Sequence, residues 1–388
     1  MKVVQLGKEW FKEATKLSEY AFIYKVPEAD LEENYRNMEK HHQVFGIIEK
    51  EKLAAKFHFL THEVYFGREK LKMGGLAGVA TYPEYRRQGH VREMLSFVLE
   101  KMKKENMTVS MLHPFNVSFY RKYGWELFSS RQKTTVPASD FKIQRQVSGT
   151  IKRFDKETHN EDIERIYDQF ASNFTGMLVR DREWWMRAIY DEETTAVYYD
   201  ETGQPQGYIL YQFKDKKLMV DEFVPLNTEA RHGLWNFICQ HDSMVTEAVM
   251  DTHEGEPLFF LLPEPRLKSE RKPYFMARII DAEAFLEAYE FLKGAEVLIH
   301  VTDPHAEWNN GSYLISKDGT AKRLSDQEAL ESDRKGVDLS INSLAAILFG
   351  YKSPSALAQL GLAEGDAEEI RQLERTLPEH TPYFYDFF

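Results

Sequence analysis

The chain has 388 residues, more than one hydrophobic core usually organises, so two or three domains are expected. Apolar residues at 43% and charged residues at 29% are globular usage, which excludes a disordered or low-complexity chain, and no run of about 18 apolar residues is present to span a bilayer. The formal net charge of −12 repels nucleic acid and favours cationic partners, although solubility alone would select the same surface.

Cys239 is the sole cysteine, which rules out an intrachain disulfide or a cysteine-built metal cage. The first 22 residues lack the apolar core of a signal peptide, so a cytoplasmic setting is expected.

In chain order, Phe11, Ala14, Leu17, Ser18 and Phe22 follow helical spacing and predict a helix over 8–24, before Pro27. Short apolar runs separated by charged or glycine-containing breaks over 44–81 predict an antiparallel meander. After the loop 83–90, Val91, Met94, Leu95, Val98, Leu99 and Met102 mark an amphipathic helix. Residues 108–112 read as a buried strand, and Asn116 caps a short helix that Gly124 closes.

The apolar pattern lapses over 134–141, which suggests a domain boundary. Beyond it the order of elements repeats. Ile163, Ile166, Tyr167 and Phe170 form a helical stripe, 207–213 and 218–224 read as paired strands, and Asn227 or Thr228 caps a helix with Leu234, Phe237 and Ile238. From about 285 the texture changes to strands at 296–301 and 311–316 and helices at 341–350 and 355–361. Five of the last six residues are aromatic, a composition unsuited to a fraying tail.

The loop after residue 81 holds the chemistry most readable from residue types. Arg86, Arg87, Gln88, Gly89, His90, Val91 and Arg92 stand between a strand and a helix start, where backbone N–H groups lacking intrahelical acceptors and the helix dipole suit a pyrophosphate. Neither G-x-G-x-x-G nor G-K-[ST] is present, which excludes Rossmann and Walker loops. A second constellation, 113–128, offers Tyr120 and Tyr123 on one broad helix face. His41 with His42, and His300 with His305, lack a supporting carboxylate pattern, so no metal is expected. Residues 183–186 read as helix core. The corresponding loop of the second domain, 225–234, has Gly233 without the Arg-x-x-Gly spacing and reads as unable to hold a cofactor.

The stretch 82–95 resembles the acetyl-CoA loop of the GNAT N-acetyltransferases, [RQ]-x-x-G-x-[GA], with Arg86 and Gly89 matching and Val91 departing. Over the whole chain the sequence is similar to the enhanced intracellular survival (Eis) branch. That resemblance implies an α+β chain of two tandem GNAT folds, each a mixed sheet flanked by helices and the second degenerate, followed by a sterol-carrier-protein-like α/β domain. The expected domains are 1–140, 141–284 and 285–388. It further implies acetyl-CoA as cosubstrate, with Val79, Ala80 and Thr81 offering backbone groups to the pantetheine arm, residues 87–92 cradling the pyrophosphate, and Phe115 and Asn116 beside them. By the same resemblance Tyr120 is the acid, the Phe388 carboxylate is the base, the acceptor is a cationic small-molecule amine or a lysine, and the assembly is a hexamer. No nucleic acid or membrane partner is expected. The competing function is a non-catalytic acyl-CoA or lipid carrier.

Overall fold

The apolar runs of the expected meander form three antiparallel strands, Gln43–Glu49, Lys52–Phe66 and Glu69–Thr81. The coordinates are a computed structural model and describe residues 2–332 and 334–388. Period-two alternation divides the long middle strand. Phe57 and Phe59 pack into the core with helix His90–Lys104, whereas Lys56 and His58 point to the opposite face. The helix buries Met94, Leu95, Val98, Leu99 and Met102, the predicted stripe. Burying such a side chain is worth roughly 1.5–3 kcal/mol. Val91 is the exception, half-exposed at the helix start.

That helix is the crossover to strand Val109–Leu112, which pairs parallel with Glu69–Thr81. The first predicted helix spans Phe11–Phe22 and ends in a left-handed Ile23. A second helix, Leu31–His41, was not anticipated. It buries only Met38, so its sequence carries no apolar stripe to read.

The second sheet repeats this plan. Strands Lys217–Pro225 and Glu247–Thr252 run parallel, joined by helix Thr228–Cys239, which Asn227 caps. A third sheet of five strands is built around Val297–Thr302, with helix Ile341–Leu348 against it.

The first two sheets exchange strands. Ser130–Pro137 pairs with Glu247–Thr252 in the second sheet, and Met276–Ile279 pairs with Val109–Leu112 in the first. Thr175–Leu178 adds to Lys52–Phe66. The boundary expected at 140 therefore falls after a strand that already belongs to the second sheet. Residues 276–279, assigned by sequence to the second domain, lie in the first sheet. The apolar lapse at 134–141 marks where the chain leaves that exchanged strand.

The exchanged strand gives the first and third sheets a shared core. Val64 and Met73 of the first sheet, Ala277 of the exchanged strand, Ile299 of the third sheet and Phe384 near the chain end all belong to one buried cluster. Arg278, fully buried on the exchanged strand, donates to both Asp303 carboxylate oxygens and lies over the Trp125 ring. Asn342 of the third domain donates to the Arg121 and Trp125 carbonyls at 3.0 and 2.9 Å, pinning the segment that carries Tyr120. No helix among the described residues is long and apolar enough to cross a membrane.

The aromatic end is folded in. Thr175 and residues Thr381 and Tyr383 exchange backbone hydrogen bonds. Asp386 is buried and accepts from Arg180 Nε at 2.9 Å and from Trp184 Nε1 at 2.7 Å. The same guanidinium pairs with Glu222, which also accepts from the Tyr208 hydroxyl. Burial opposes the Arg180 charge, but the Asp386 and Glu222 carboxylates hold its pKa well above the ordinary value. Arg180→Met leaves two buried carboxylates without their cation. It is expected to cost about 3–5 kcal/mol, read as a lowered urea midpoint.

Candidate active site

The pairing between Glu69–Thr81 and Val109–Leu112 stops at Leu76 and Leu112. Beyond that point the strands part, leaving the backbone of 77–81 without a neighbour on that side. Opposite, the register with Lys52–Phe66 shifts. Lys56 faces Ala80 and His58 faces Ala77, so Gly78 and Val79 together oppose Phe57 in a bulge. Gly78 adopts φ +54, and a Cβ there would lie 2.9 Å from Lys56 Nζ. The bulge re-aims the backbone of Val79, Ala80 and Thr81 toward the parted side.

Gly89, at φ +89, is the N-cap of helix His90–Lys104. The first intrahelical bond runs from Glu93 N to the Gly89 carbonyl, so the N–H groups of His90, Val91 and Arg92 have no acceptor within the helix. Parted strands and helix start open onto one cavity of about 760 Å³. Its apolar wall includes Phe22, Val79, Ala80, Phe115, Phe119 and Tyr123, and Arg86, Arg87 and Arg92 supply cationic edges. The volume falls within the range of about 300–1,000 Å³ typical of small-molecule sites.

Of the residues singled out by sequence, Val79, Ala80, Thr81, Arg87, Gly89, His90, Val91, Arg92 and Phe115 line this cavity. The side chains of His90, Gln88 and Asn116 are engaged elsewhere. The His90 side chain turns inward, its Nε2 2.8 Å from Glu49 Oε1, so only its backbone is free to face the cavity. Gln88 bonds the Glu84 carbonyl on the surface. Asn116 spends its Oδ1 on the Phe119 N–H at 3.0 Å and on the Ser118 hydroxyl, the predicted cap. Phe22, the last residue of the first helix, is exposed and lines the cavity.

The two tyrosines separate clearly. Tyr120 is buried with its ring against Phe115, Phe119 and Trp125, and burial pushes its phenol pKa up. Tyr123 lines the cavity, with its ring 4.9 Å from His305.

Phe388 lies farther along the same strand. A Cβ on Gly75 would meet its Cε2 at 2.9 Å, so the missing side chain lets the ring lie on the strand. Its ring centroid is 5.5 Å from that of His62, whose ring is 5.0 Å from Trp184. His62 and Trp184 line a second cavity of about 310 Å³ together with Glu39, His42, Asp181, Glu183 and Arg187. Gly75 and Val79 are four residues apart, about 13 Å along a strand. The chain end and the larger cavity thus occupy successive stations on one strand.

The second sheet opens a comparable gap, since its parallel pairing stops at Val220 and Met250. That gap is already filled. The Tyr385 hydroxyl accepts from the Phe223 N–H and donates to the Phe223 carbonyl, both at 3.3 Å, and the Tyr385 carbonyl accepts from Arg131. Sequence reasoning found the aromatic end but not these partners. Arg131, Arg180 and Glu222 sit in no motif and meet the tail only through long-range folding.

The family comparisons agree with this geometry. Residues 2–128 and 176–279 each match the acetyltransferase (GNAT) domain family, and residues 282–385 match the sterol carrier protein domain family. The N-acetyltransferase Eis of Mycobacterium tuberculosis is 24% identical over 338 residues, 81% of this chain and 80% of its own length. An uncharacterized N-acetyltransferase of Streptomyces griseus is 22% identical over 356 residues, 82% of each chain. A solved structure from Enterococcus faecalis, described as a probable N-acyltransferase, matches 100% of this chain and 99% of its own with TM-score 0.91 at 27% identity. Eis1 from Mycobacterium abscessus shares the fold with TM-score 0.84 at 18% identity over the full length of both chains.

The chain belongs to the GNAT N-acetyltransferases, with two such domains in tandem and a sterol-carrier-type third. Within them it is an enzyme homologous to the Eis N-acetyltransferases. Acetyl-CoA is the acyl donor of GNAT domains in general, and the cavity at Gly89 has the cationic helix start that a pyrophosphate needs.

The bulge can be tested without any ligand. Gly78→Val forces a β-branched residue to φ +54 with its Cβ against Lys56 Nζ. A loss of about 1–3 kcal/mol is expected in chemical unfolding, whereas an unchanged midpoint would mean that the bulge relaxes freely.

Proposed function

We propose that the protein transfers the acetyl group of acetyl-CoA directly to the amine of a cationic acceptor, an aminoglycoside-like molecule, a polyamine or a lysine side chain. The observation that carries this reading is the pairing of two cavities along one strand, one at a cationic helix start and one near the chain end where Glu39, Asp181 and Glu183 stand with Lys40 and Arg187. In this reading the backbone of Val79, Ala80 and Thr81 holds the pantetheine arm. The N–H groups of residues 90–92 and the guanidinium groups of Arg87 and Arg92 hold the pyrophosphate, with Gln88, Phe115 and Asn116 around the same loop.

Glu39, Asp181 and Glu183 favour a cationic acceptor in the smaller cavity. Glu39 and Glu183 are paired with Lys8 and Lys40, exposed ion pairs of a kind worth about 0–1 kcal/mol, so an incoming ammonium can displace the lysines. The net charge of −12 attracts such substrates from a distance.

The proposed base is the carboxylate of Phe388, a residue whose ring packs beside His62, and the proposed acid is Tyr120. The phenol is protonated at neutral pH, as an acid for the leaving thiolate must be. The setting proposed with this activity is a cytoplasmic homohexamer, which sedimentation of the purified chain would test.

A thiol-release assay over aminoglycosides, polyamines and lysine peptides tests the reaction. Acetyl-CoA binding without release of CoA would instead favour the carrier function. Tyr120→Phe, and separately a short extension after Phe388, are each expected to lower kcat by about 10²–10⁴-fold with the thermal midpoint retained. Wild-type turnover in both variants would overturn the assignment of acid and base.

A further inference from the structure

Three basic side chains outside the loop motif lie in a row on the acceptor side of the first sheet. Lys56 and His58 alternate onto one face of Lys52–Phe66, and His42 follows helix Leu31–His41. Strand pairing brings them together, because Val44 is the register partner of His58. His42 Nδ1 is 2.8 Å from His58 Nδ1, His58 Nε2 is 2.7 Å from Lys56 Nζ, and Lys56 Nζ is 2.6 Å from the buried Ser18 hydroxyl. Lys56 is fully buried, and no carboxylate among the described residues reaches it.

The row has two ends with different surroundings. His42 lines the smaller cavity, where His41, His62, Asp181, Glu183 and Arg187 also stand. Lys56 Nζ ends beneath the Gly78 bulge, next to the backbone of Val79 that lines the larger cavity. The chain of hydrogen bonds therefore runs from the acceptor cavity to the underside of the donor cavity.

Hydrogen-bond directions in this row have two self-consistent solutions, assigned from the network. With Lys56 a neutral amine, His42 Nδ1–H donates to His58 Nδ1, His58 Nε2–H donates to Lys56 Nζ, and Lys56 donates to Ser18. With Lys56 an ammonium, it donates to both His58 Nε2 and Ser18, and His58 Nδ1–H donates to His42 Nδ1. The two states differ by one proton and by the reversal of the His42–His58 and His58–Lys56 bonds, while Lys56 donates to Ser18 in both.

We propose that His42, His58 and Lys56 form a proton relay that takes the proton released by the acceptor ammonium and stores it on Lys56. The relay rests on the acetyl-transfer reading above. The step balances. The acceptor R–NH3+ loses a proton that reaches His42 Nε2 directly or through the Phe388 carboxylate. His42 passes its Nδ1 proton to His58 Nδ1, and His58 passes its Nε2 proton to the Lys56 lone pair. The products are the free amine, neutral His42 and His58 in exchanged tautomers, and a Lys56 ammonium. The relay resets by the reverse shifts once the acetylated product has left the cavity.

The electrostatics suit this direction of flow. Burial brings the Lys56 pKa down to about 7, so a neutral amine is available as receiver at physiological pH. Burial, with Arg187, His41, Lys56 and His62 as neighbouring cations, takes His42 down to about 4, and burial holds His58 well below the usual imidazole value. Neither histidine retains the proton, and Lys56 is the strongest base in the row. A free carboxylate is a weak base by comparison, with an ordinary pKa of about 3.3–3.7. The stored charge also appears beneath the bulge as negative charge develops on the thioester.

The test combines a spectroscopic and a kinetic readout on the full chain. Histidine 15N chemical shifts are expected to report a switch of His58 from the Nε2–H to the Nδ1–H tautomer as pH falls through about 7, and Lys56→Met to abolish that switch. Because methionine keeps an apolar stem and removes a group whose charged form burial disfavours, the variant is compatible with the fold. In turnover at saturating acetyl-CoA, wild-type kcat is expected to rise with pH through about 7. Lys56→Met is expected to lose that limb and at least tenfold in kcat at neutral pH, with the acceptor KM within about twofold. A His58 tautomer that stays fixed between about pH 5.5 and 9, or a variant with wild-type kcat and pH profile, would overturn the relay. The tautomer readout needs no acceptor, so it decides the relay even if no amine releases CoA.

Discussion

The buried ion triad of Arg180, Asp386 and Glu222 is the constraint on which the site's geometry depends. Arg180 follows the strand that extends the first sheet, Glu222 belongs to the second sheet, and Asp386 sits two residues before Phe388. One guanidinium thus fixes the chain end relative to both GNAT domains. The cost of desolvating three charges is met by further donors, since the Tyr208 hydroxyl and Trp184 Nε1 complete the carboxylate coordination and the Tyr167 and Trp185 rings flank the guanidinium. Such a cluster is a weak source of stability and a strong source of position. A tail held only by apolar contacts could slide along the aromatic surface, whereas bonds to Asp386 admit one register.

Filling of the second sheet's gap follows from the same constraint. Where the first domain leaves the backbone of 77–81 free beside a cavity, the second domain offers the Phe223 backbone to Tyr385. The tail therefore satisfies polar groups that a ligand would otherwise have to satisfy. Strand exchange between the two sheets makes the arrangement mutual, because Arg131 on one exchanged strand bonds the Tyr385 carbonyl and Tyr274, just before the other, bonds the Asp386 carbonyl. Neither GNAT domain completes its sheet alone, and the third domain, through Asn342 and Asp303, braces the turn that follows Tyr120.

What the sequence revealed, and what it concealed, follows the range of the interactions concerned. The stripe of Met94 to Met102 and the loop ending at Gly89 are local, because helical period, helix start and glycine punctuation all act within a few residues. Tandem organisation was visible because the pattern of meander, crossover helix and parallel strand recurs. Leu31–His41 was invisible because a surface helix with one buried methionine has no period. The exchanged strands were invisible because nothing local distinguishes a strand that pairs with its own sheet from one that pairs with its neighbour. Phe22 follows helical spacing yet lines a cavity that only the folded chain creates, whereas the place of Val91 at the helix start was legible from the loop itself. His42, Lys56 and His58 carry no motif spacing, since two strands and a helix end must align before they touch.

The strand Lys52–Phe66 shows how one element can serve both the core and the chemistry. Its odd-numbered aromatic residues, Phe57 and Phe59, are held by the crossover helix, so the strand cannot rotate. Its even-numbered residues Lys56, His58 and His62 are therefore presented to the acceptor side with fixed spacing. The neighbouring strand answers with glycines on that same side: Gly75 admits the Phe388 ring and Gly78 admits the Lys56 ammonium head. A side chain at either position would displace one of the two basic groups proposed for the reaction, the terminal carboxylate or the relay. Both glycines thus act by leaving room, and the polar face of the sheet is organised around space that the backbone declines to fill.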